Sequence, residues 1–358
     1  MAKYLTKEEN QIHTLGTLLA AGEDKSWKVR LAFAKNFAAF ADSFGKEITD
    51  NNLIQTFTLL LNDNEAEVKH AAILNISDCL KNLSTEKICN LMLPTLQNAY
   101  VDATAQFKAG AAQALCEMAQ IIGKDHTSQK VLPILMELLK DDNSEVKLNV
   151  VGGLVKIANV LGADLLTAQL MTTLSNMTKD GQWRVRMGVF ELIADLGVIF
   201  GKDLFQKHLQ ATFMGYLTST AASVRQMGIQ KSSILAASFS QDWILQEYIP
   251  VVSSNYAADK KGYNYRMCCL NSLAAVMPYT PKDAITQHIV PIFVRATKDD
   301  IPNVKFCVSK IIHEHKQFID QNVFANQLVG PLKEMSLDAD RDVGYFAQVA
   351  LQSFTKYE

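Results

Sequence analysis

VLPILMELLKDDNSEVKLNVVGGLVKIANVLG, residues 131–162, contains the whole fold in one copy. Leu132, Ile134, Leu135, Leu138 and Leu139 recur at helical spacing and form one apolar stripe. Asp141-Asp142-Asn143-Ser144 follows, a run of turn formers and helix starters. Val146, Val150, Val151, Leu154 and Ile157 make a second stripe, which Gly162 closes. The segment reads helix, tight turn, helix. Outward from it, the dipeptide Val146-Lys147 returns as Val29-Arg30, Val68-Lys69, Phe107-Lys108, Val185-Arg186, Val224-Arg225, Tyr265-Arg266 and Val304-Lys305. Val343-Gly344 ends the series without its basic residue. Successive copies stand 39 residues apart, except for 41 between Val224 and Tyr265. A period of this length, built from helical stripes, predicts an all-α solenoid of about nine helix pairs, each burying its apolar face against its neighbours. The expected units run 5–45, 46–84, 85–123, 124–162, 163–201, 202–240, 241–281, 282–320 and 321–358, as a single solenoid over 1–358.

Punctuation keeps the same register. An aspartate stands five positions before the pair at Asp24, Asp63, Asp102, Asp141, Asp180, Asp299 and Asp338, with Ser219 and Lys260 as the exceptions. There its carboxylate can satisfy the free N–H groups of the second helix. Pro94, Pro133, Pro250, Pro291 and Pro331 precede the pair and suit a first turn or a bend. Gly45, Gly123, Gly162 and Gly201 lie sixteen residues after it, where a helix end accepts positive φ. The basic column is expected to pair with turn aspartates of the same or the adjacent repeat.

Composition excludes several classes. Hydrophobic residues make up 48% and charged residues 20%, unlike a disordered chain. No stretch is expected to be long and apolar enough for a membrane span, and MAKYLTKEENQ lacks the apolar run of a signal peptide. A formal net charge of −2 argues against nucleic acid as a partner. Cys79, Cys89, Cys116, Cys268, Cys269 and Cys307 form no C-x-x-C pair and sit in helical patterns, which implies a reduced protein with free apolar thiols. The expected location is cytoplasmic, with the nucleus second.

Catalytic chemistry is not visible. Gly152-Gly153 lies inside a helical stripe and reads as close packing, not as a phosphate loop. His313 and His315 are two apart and point to different faces. Ser232-Ser233 has no base or glycine elbow nearby and is read as ordinary surface serine. Carboxylate pairs such as Asp299-Asp300 fall on the repeating turn. No cofactor, no metal and no enzyme activity are expected. Function belongs on the turns.

A resemblance sharpens this. GQWRVRMGVFELIADLGVIFGKDLF (181–205), YNYRMCCLNSLAAV (263–276), IPNVKFCVSKI (301–311) and DRDVGYFAQVAL (340–351) resemble consecutive C-terminal HEAT repeats of the scaffolding A subunit of protein phosphatase 2A. EDKSWKVRLAFAKNF (23–37) resembles a middle repeat of that family. The likeness covers essentially the whole chain in register. Family members have about fifteen repeats, and the nine here look like the seventh to the last. Whether the chain is a fragment or a short form stays open. Residues 5–20 would then be an opening helix, with Leu15, Leu18 and Leu19 facing inward.

The resemblance implies a non-catalytic scaffold that docks the phosphatase catalytic subunit on the turns of its last five repeats. Regulatory B-type subunits would use earlier turns and be held weakly. Residue by residue, it points to Trp183 and Arg184 in the fifth unit and to Tyr263 and Arg266 in the seventh. It also points to Ile301 and Asn303 in the eighth and to Asp340 and Arg341 in the ninth. Trp27 and Lys28 occupy the matching slot on the regulatory side. Trp243 reads as packing. Two departures stand out: Ala221-Ala222-Ser223 replaces an aromatic anchor, and Gly344 replaces a basic residue. The alternative is a HEAT-repeat adaptor or transport or assembly platform with a different protein partner.

Overall fold

The computed structural model describes residues 6–101, 103–258 and 262–355, so Asp102, Asp259 and Lys260 lie outside the described residues. It is all-α, with no strand among the described residues. The chain divides into two compact units, Met1–Thr173 and Leu174–Glu358.

Each second helix begins where the sequence places it. In the first unit these are α1 (Trp27–Phe44), α2 (Ala66–Cys79), α3 (Ala105–His126) and α4 (Ser144–Leu161). In the second unit they are α5 (Trp183–Phe200), α6 (Ala222–Ser238), α7 (Tyr263–Val276), α8 (Pro302–Glu314) and α9 (Arg341–Thr355). Within each unit, successive second helices pack side by side. The repeating apolar residue is what they bury: Val68, Val146, Val185, Val224, Val304 and Val343 are fully buried, and Phe107 nearly so. Val29 departs from this at 37% exposure. Among the described residues the helices before Val29 are the short Lys7–His13 and Leu15–Gly22, whereas a whole helix pair precedes Val68. For the same reason Leu15, Leu18 and Leu19 are only half-buried.

The turns explain the aspartate. Its Oδ1 accepts the N–H two residues on, from Ser26 to Asp24, Glu65 to Asp63, Asn143 to Asp141, Gln182 to Asp180, Ile301 to Asp299 and Asp340 to Asp338, at 2.7–2.9 Å. A short side chain thus imitates a backbone turn and aims the chain into the second helix. At the other end, Gly45 and Gly201 have φ of 80° and 81° with ψ near 180°, a region that only glycine occupies without strain.

The first helices carry a feature that the proline column only hints at. Ile88–Met92, Thr127–Val131, Ile244–Tyr248 and Ile285–Ile289 are wide turns whose closing N–H reaches five residues back, as from Leu93 to Ile88. Pro94, Pro133, Pro250 and Pro291 stand immediately beyond, in the first turn of the helix that resumes. A proline ring blocks and orphans the carbonyl four residues back, and a widened turn relieves that conflict. The wide turns Thr49–Leu53 and Phe205–Leu209 lead into helices without proline, so repeat geometry sets them as well.

Three further expectations change. Ser144–Leu165 is 22 residues with hydropathy 1.4, long and apolar enough to cross a membrane by length and composition. Its Val146, Val150, Val151, Leu154, Ile157 and Leu161 are buried, and it packs on α3 and on the preceding Leu132–Leu138 helix, as a core helix does. Gly152 faces open space, and only Gly153 permits close packing, since a Cβ there would lie 2.3 Å from Cys116 Sγ. Ser232 is fully buried, not a surface residue: its Oγ donates to Gly228 O at 2.8 Å and lies 3.2 Å from Tyr216 Oη, from which it can accept. Tyr216 Oη also meets Tyr248 Oη at 2.7 Å and Ser272 Oγ at 2.8 Å, which satisfies a polar cluster sealed in the core. Burial pushes the Tyr248 phenol up to about 12.

Candidate protein-docking site

Helices α5 to α9 begin with Trp183, Ala222, Tyr263, Pro302 and Arg341. These positions are equivalent in the repeat, and the helices that bear them pack in succession. The sequence alone puts Trp183 on the turn. It is instead the first helical residue, following the extended Gln182. That placement holds the indole outward at 41% exposure, with the Arg184 guanidinium 5.7 Å from its ring. Tyr263, at 38% exposure, follows Gly262, whose φ of 92° turns the chain into α7. Trp27 repeats the arrangement in the first unit, at 36% exposure with Lys28 Nζ 6.0 Å from its ring. Asn303 and Arg341 are exposed.

The remaining expected contacts are committed within the fold. Arg266 grips Asp299 through Nε (2.7 Å) and Nη2 (2.9 Å), so it joins repeats. Ile301 is half-buried and gives its N–H to Asp299. Asp340 caps α9, accepting from Asp342 N and Val343 N. The exposed members of the set are therefore Trp183, Arg184, Tyr263, Asn303 and Arg341.

The basic column reaches forward by 33 residues, to the aspartate of the next repeat. Arg30–Asp63, Lys108–Asp141, Arg266–Asp299 and Lys305–Asp338 are ion pairs at 2.6–2.9 Å. One carboxylate thus shapes its own turn and ties it to the preceding repeat. The hydrogen bond from Arg30 holds the Asp63 carboxyl below the usual carboxylate range, and Lys305 does the same for Asp338. Arg186 and Arg225 differ. Each donates through Nη1 to carbonyls of its own turn, Asp180 and Gly181 for one and Ser219 and Thr220 for the other.

Sequence reasoning missed a second ladder, which joins the far ends of successive repeats through Asp42–Lys81, Glu117–Lys156 and Asp195–Lys231, with Lys81 in the short turn Leu80–Asn82 just past α2. Its charges drift between columns, so no fixed period betrays them. It also missed Tyr265, covered by Arg225 at 5.6 Å, and the exposed Leu337 (87%) and Tyr345 (60%) of the last repeat. An apolar residue among turn formers, as in SLDADRD (336–342), was the available signal for Leu337. Among the described residues no group of three or more His, Cys, Asp or Glu could hold a metal ion.

Residues 46–123 match the family model described as PPP2R1A-like HEAT repeat, and residues 131–161 match HEAT repeat. The chain carries HEAT repeats. Among curated proteins it is 27% identical over 121 residues to the regulatory A subunit of protein phosphatase PP2A from Saccharomyces cerevisiae, a match covering 32% of this HEAT-repeat chain and 19% of that relative. Solved structures with the same fold include the karyopherin Kap121p bound to the extreme C-terminus of the protein phosphatase Cdc14p (TM-score 0.69, 14% identity, 96% of this chain and 38% of that one). They also include importin beta (TM-score 0.68, 12% identity, 99% and 46%) and Kap95p with RanGDP (TM-score 0.71, 15% identity, 97% and 45%). At such identities the likeness concerns the fold alone.

Proposed function

We propose that this HEAT-repeat chain is a non-catalytic scaffold of a protein phosphatase 2A-like serine/threonine phosphatase. Its nine repeats form one solenoid that docks the catalytic subunit on the helix starts of α5 to α9. The observation that carries the reading is the match of residues 46–123 to the PPP2R1A-like HEAT repeat. The outward indole of Trp183 in its W-R-V-R setting supports the placement. A half-exposed aromatic beside an arginine is the kind of anchor that dominates protein interfaces. Tyr263, Asn303 and Arg341 extend the same edge, and Trp27 with Lys28 offers a weaker hold for a regulatory B-type subunit. The scaffold's contribution is to raise the effective concentration of phosphatase beside whatever else it holds.

A second reading is a HEAT-repeat transport or assembly adaptor with a different protein partner, which shares this fold. Calorimetry with purified phosphatase catalytic subunit separates the two. The scaffold reading expects a one-to-one complex whose phosphatase activity elutes with the chain. No binding at micromolar concentration would refute it.

A further inference from the structure

Wherever the repeat keeps both partners as arginine and aspartate, the guanidinium is held in one pose. Arg30 donates Nη1 to Asp24 O at 2.7 Å, then clasps Asp63 with Nε at 2.6 Å and Nη2 at 2.9 Å. Arg266 clasps Asp299 with the same two nitrogens. Arg186 repeats the first half of the pose, with Nη1 donating to Asp180 O at 2.5 Å and Gly181 O at 3.2 Å. The residue 33 positions on, where the others find an aspartate, is Ser219. Among the described residues no carboxylate pairs with Arg186, and Ser219 Oγ is buried without a hydrogen-bond partner. The gap lies between α5 and α6, directly behind Trp183 and Arg184 in sequence. Arg186 itself is half-buried.

The geometry points to an oxyanion seat at Arg186, formed by its Nε–Nη2 edge opposite Ser219, that takes one carboxylate side chain of the protein docked against Trp183. This deepens the scaffold reading and rests on it. A planar fork set by its own turn carbonyls is preorganised for two parallel bonds to a carboxylate. At Arg30 and Arg266 that carboxylate is internal. Here its absence leaves an arginine that a partner can complete, beside the indole that would anchor it. The net charge of −2 makes such a local cationic seat stand out.

The test fills the seat from within. Ser219→Asp supplies the missing acid, and Ser219→Asn supplies the same turn-shaping side chain without charge. Relative to Ser219→Asn, Ser219→Asp is expected to raise the Tm by about 2–4 °C, a gain that disappears in an Arg186→Gln background. Against purified phosphatase catalytic subunit, Ser219→Asp is expected to bind about tenfold more weakly than Ser219→Asn, with the gap closing at high salt. Equal Tm values for the two variants would overturn the open seat, whatever the chain binds. A higher Tm with equal affinity would overturn the partner's carboxylate. Absence of binding by the parent chain would refute the phosphatase reading and this partner together, while the Tm comparison would still decide whether the fork is open.

Discussion

Trp243 and Trp183 lie in the same unit and should respond to truncation in opposite ways. Trp243 is 1% exposed, with ring centroids 5.1 Å from Phe239, 5.3 Å from Tyr248 and 6.1 Å from Phe205. Its Nε1 donates to Gln210 Oε1 at 2.8 Å. Replacing it with alanine opens a cavity where four aromatic side chains meet, and such changes cost about 3–5 kcal/mol. Losing the indole N–H leaves the Gln210 carbonyl without its donor, adding about 1 kcal/mol. For a unit of this size each kcal/mol moves the Tm by about 2–4 °C, so Trp243→Ala should lower it by about 10 °C or more. Trp183, at 41% exposure, has little packing to lose, and its truncation should cost stability under about 1 kcal/mol. Its loss falls on binding, about 2 kcal/mol or roughly thirtyfold in Kd for the catalytic subunit. Calorimetric melting and titration of both variants give all four numbers. A Tm for Trp243→Ala within about 2 °C of the parent, on the scale just worked, would refute the packed cluster. Unchanged affinity for Trp183→Ala would remove the family footprint from this chain.

Other outcomes follow from smaller features. Gly152→Ala should stabilise α4 by about 0.5–1 kcal/mol because its Cβ meets nothing within 4 Å, while Gly153→Ala should destabilise by about 1–3 kcal/mol through collision with Cys116; denaturant melts check both. The carboxyls of Asp63 and Asp338 are held below their ordinary range by Arg30 and Lys305, so their contribution is present above the ordinary aspartate value near 4 and is lost as pH falls through the depressed values. Asp63→Asn and Asp338→Asn should therefore narrow the Tm gap to the parent as pH drops below about 4, seen in melts from neutral to acid. All six thiols are buried, with Cys79 and Cys116 pushed up to about 12 by burial, so a disulfide reagent at pH 8 should leave the native chain nearly unlabelled and label all six in denaturant.

The solenoid was legible because most copies repeat the same signals at a spacing of 39 residues, and the starts of α1 to α9 fall where the valine or aromatic column places them. What the sequence left open were choices between neighbours. The basic column was visible, but only the three-dimensional pairing of Arg266 with Asp299 shows that this arginine ties one repeat to the next. Ser232 looked like surface because its partners Tyr216 and Tyr248 come from other helices of the unit. Val29 keeps the repeat's residue yet lies exposed beside the short helices that precede it. Once Trp183 is helical, register sets its outward pose, since a position two before the buried Val185 faces the opposite side of the helix.

The wide turns in the first helices bear on how these repeats tolerate changes of length. Each wide turn stores one residue more than a regular helix would hold between the same hydrogen-bonded ends. Deleting a residue there lets the backbone relax into an ordinary helix with every bond intact. The cost appears downstream, where the chain turns by about 100° and carries Ile54, Phe57 and Leu60 away from the core. A deletion at the opposite end of the repeat, in the exposed turn at 62–65, shifts no stripe within either helix. Length variation should thus collect at the turns and spare the wide segments, even though those segments are locally the easiest place to lose a residue.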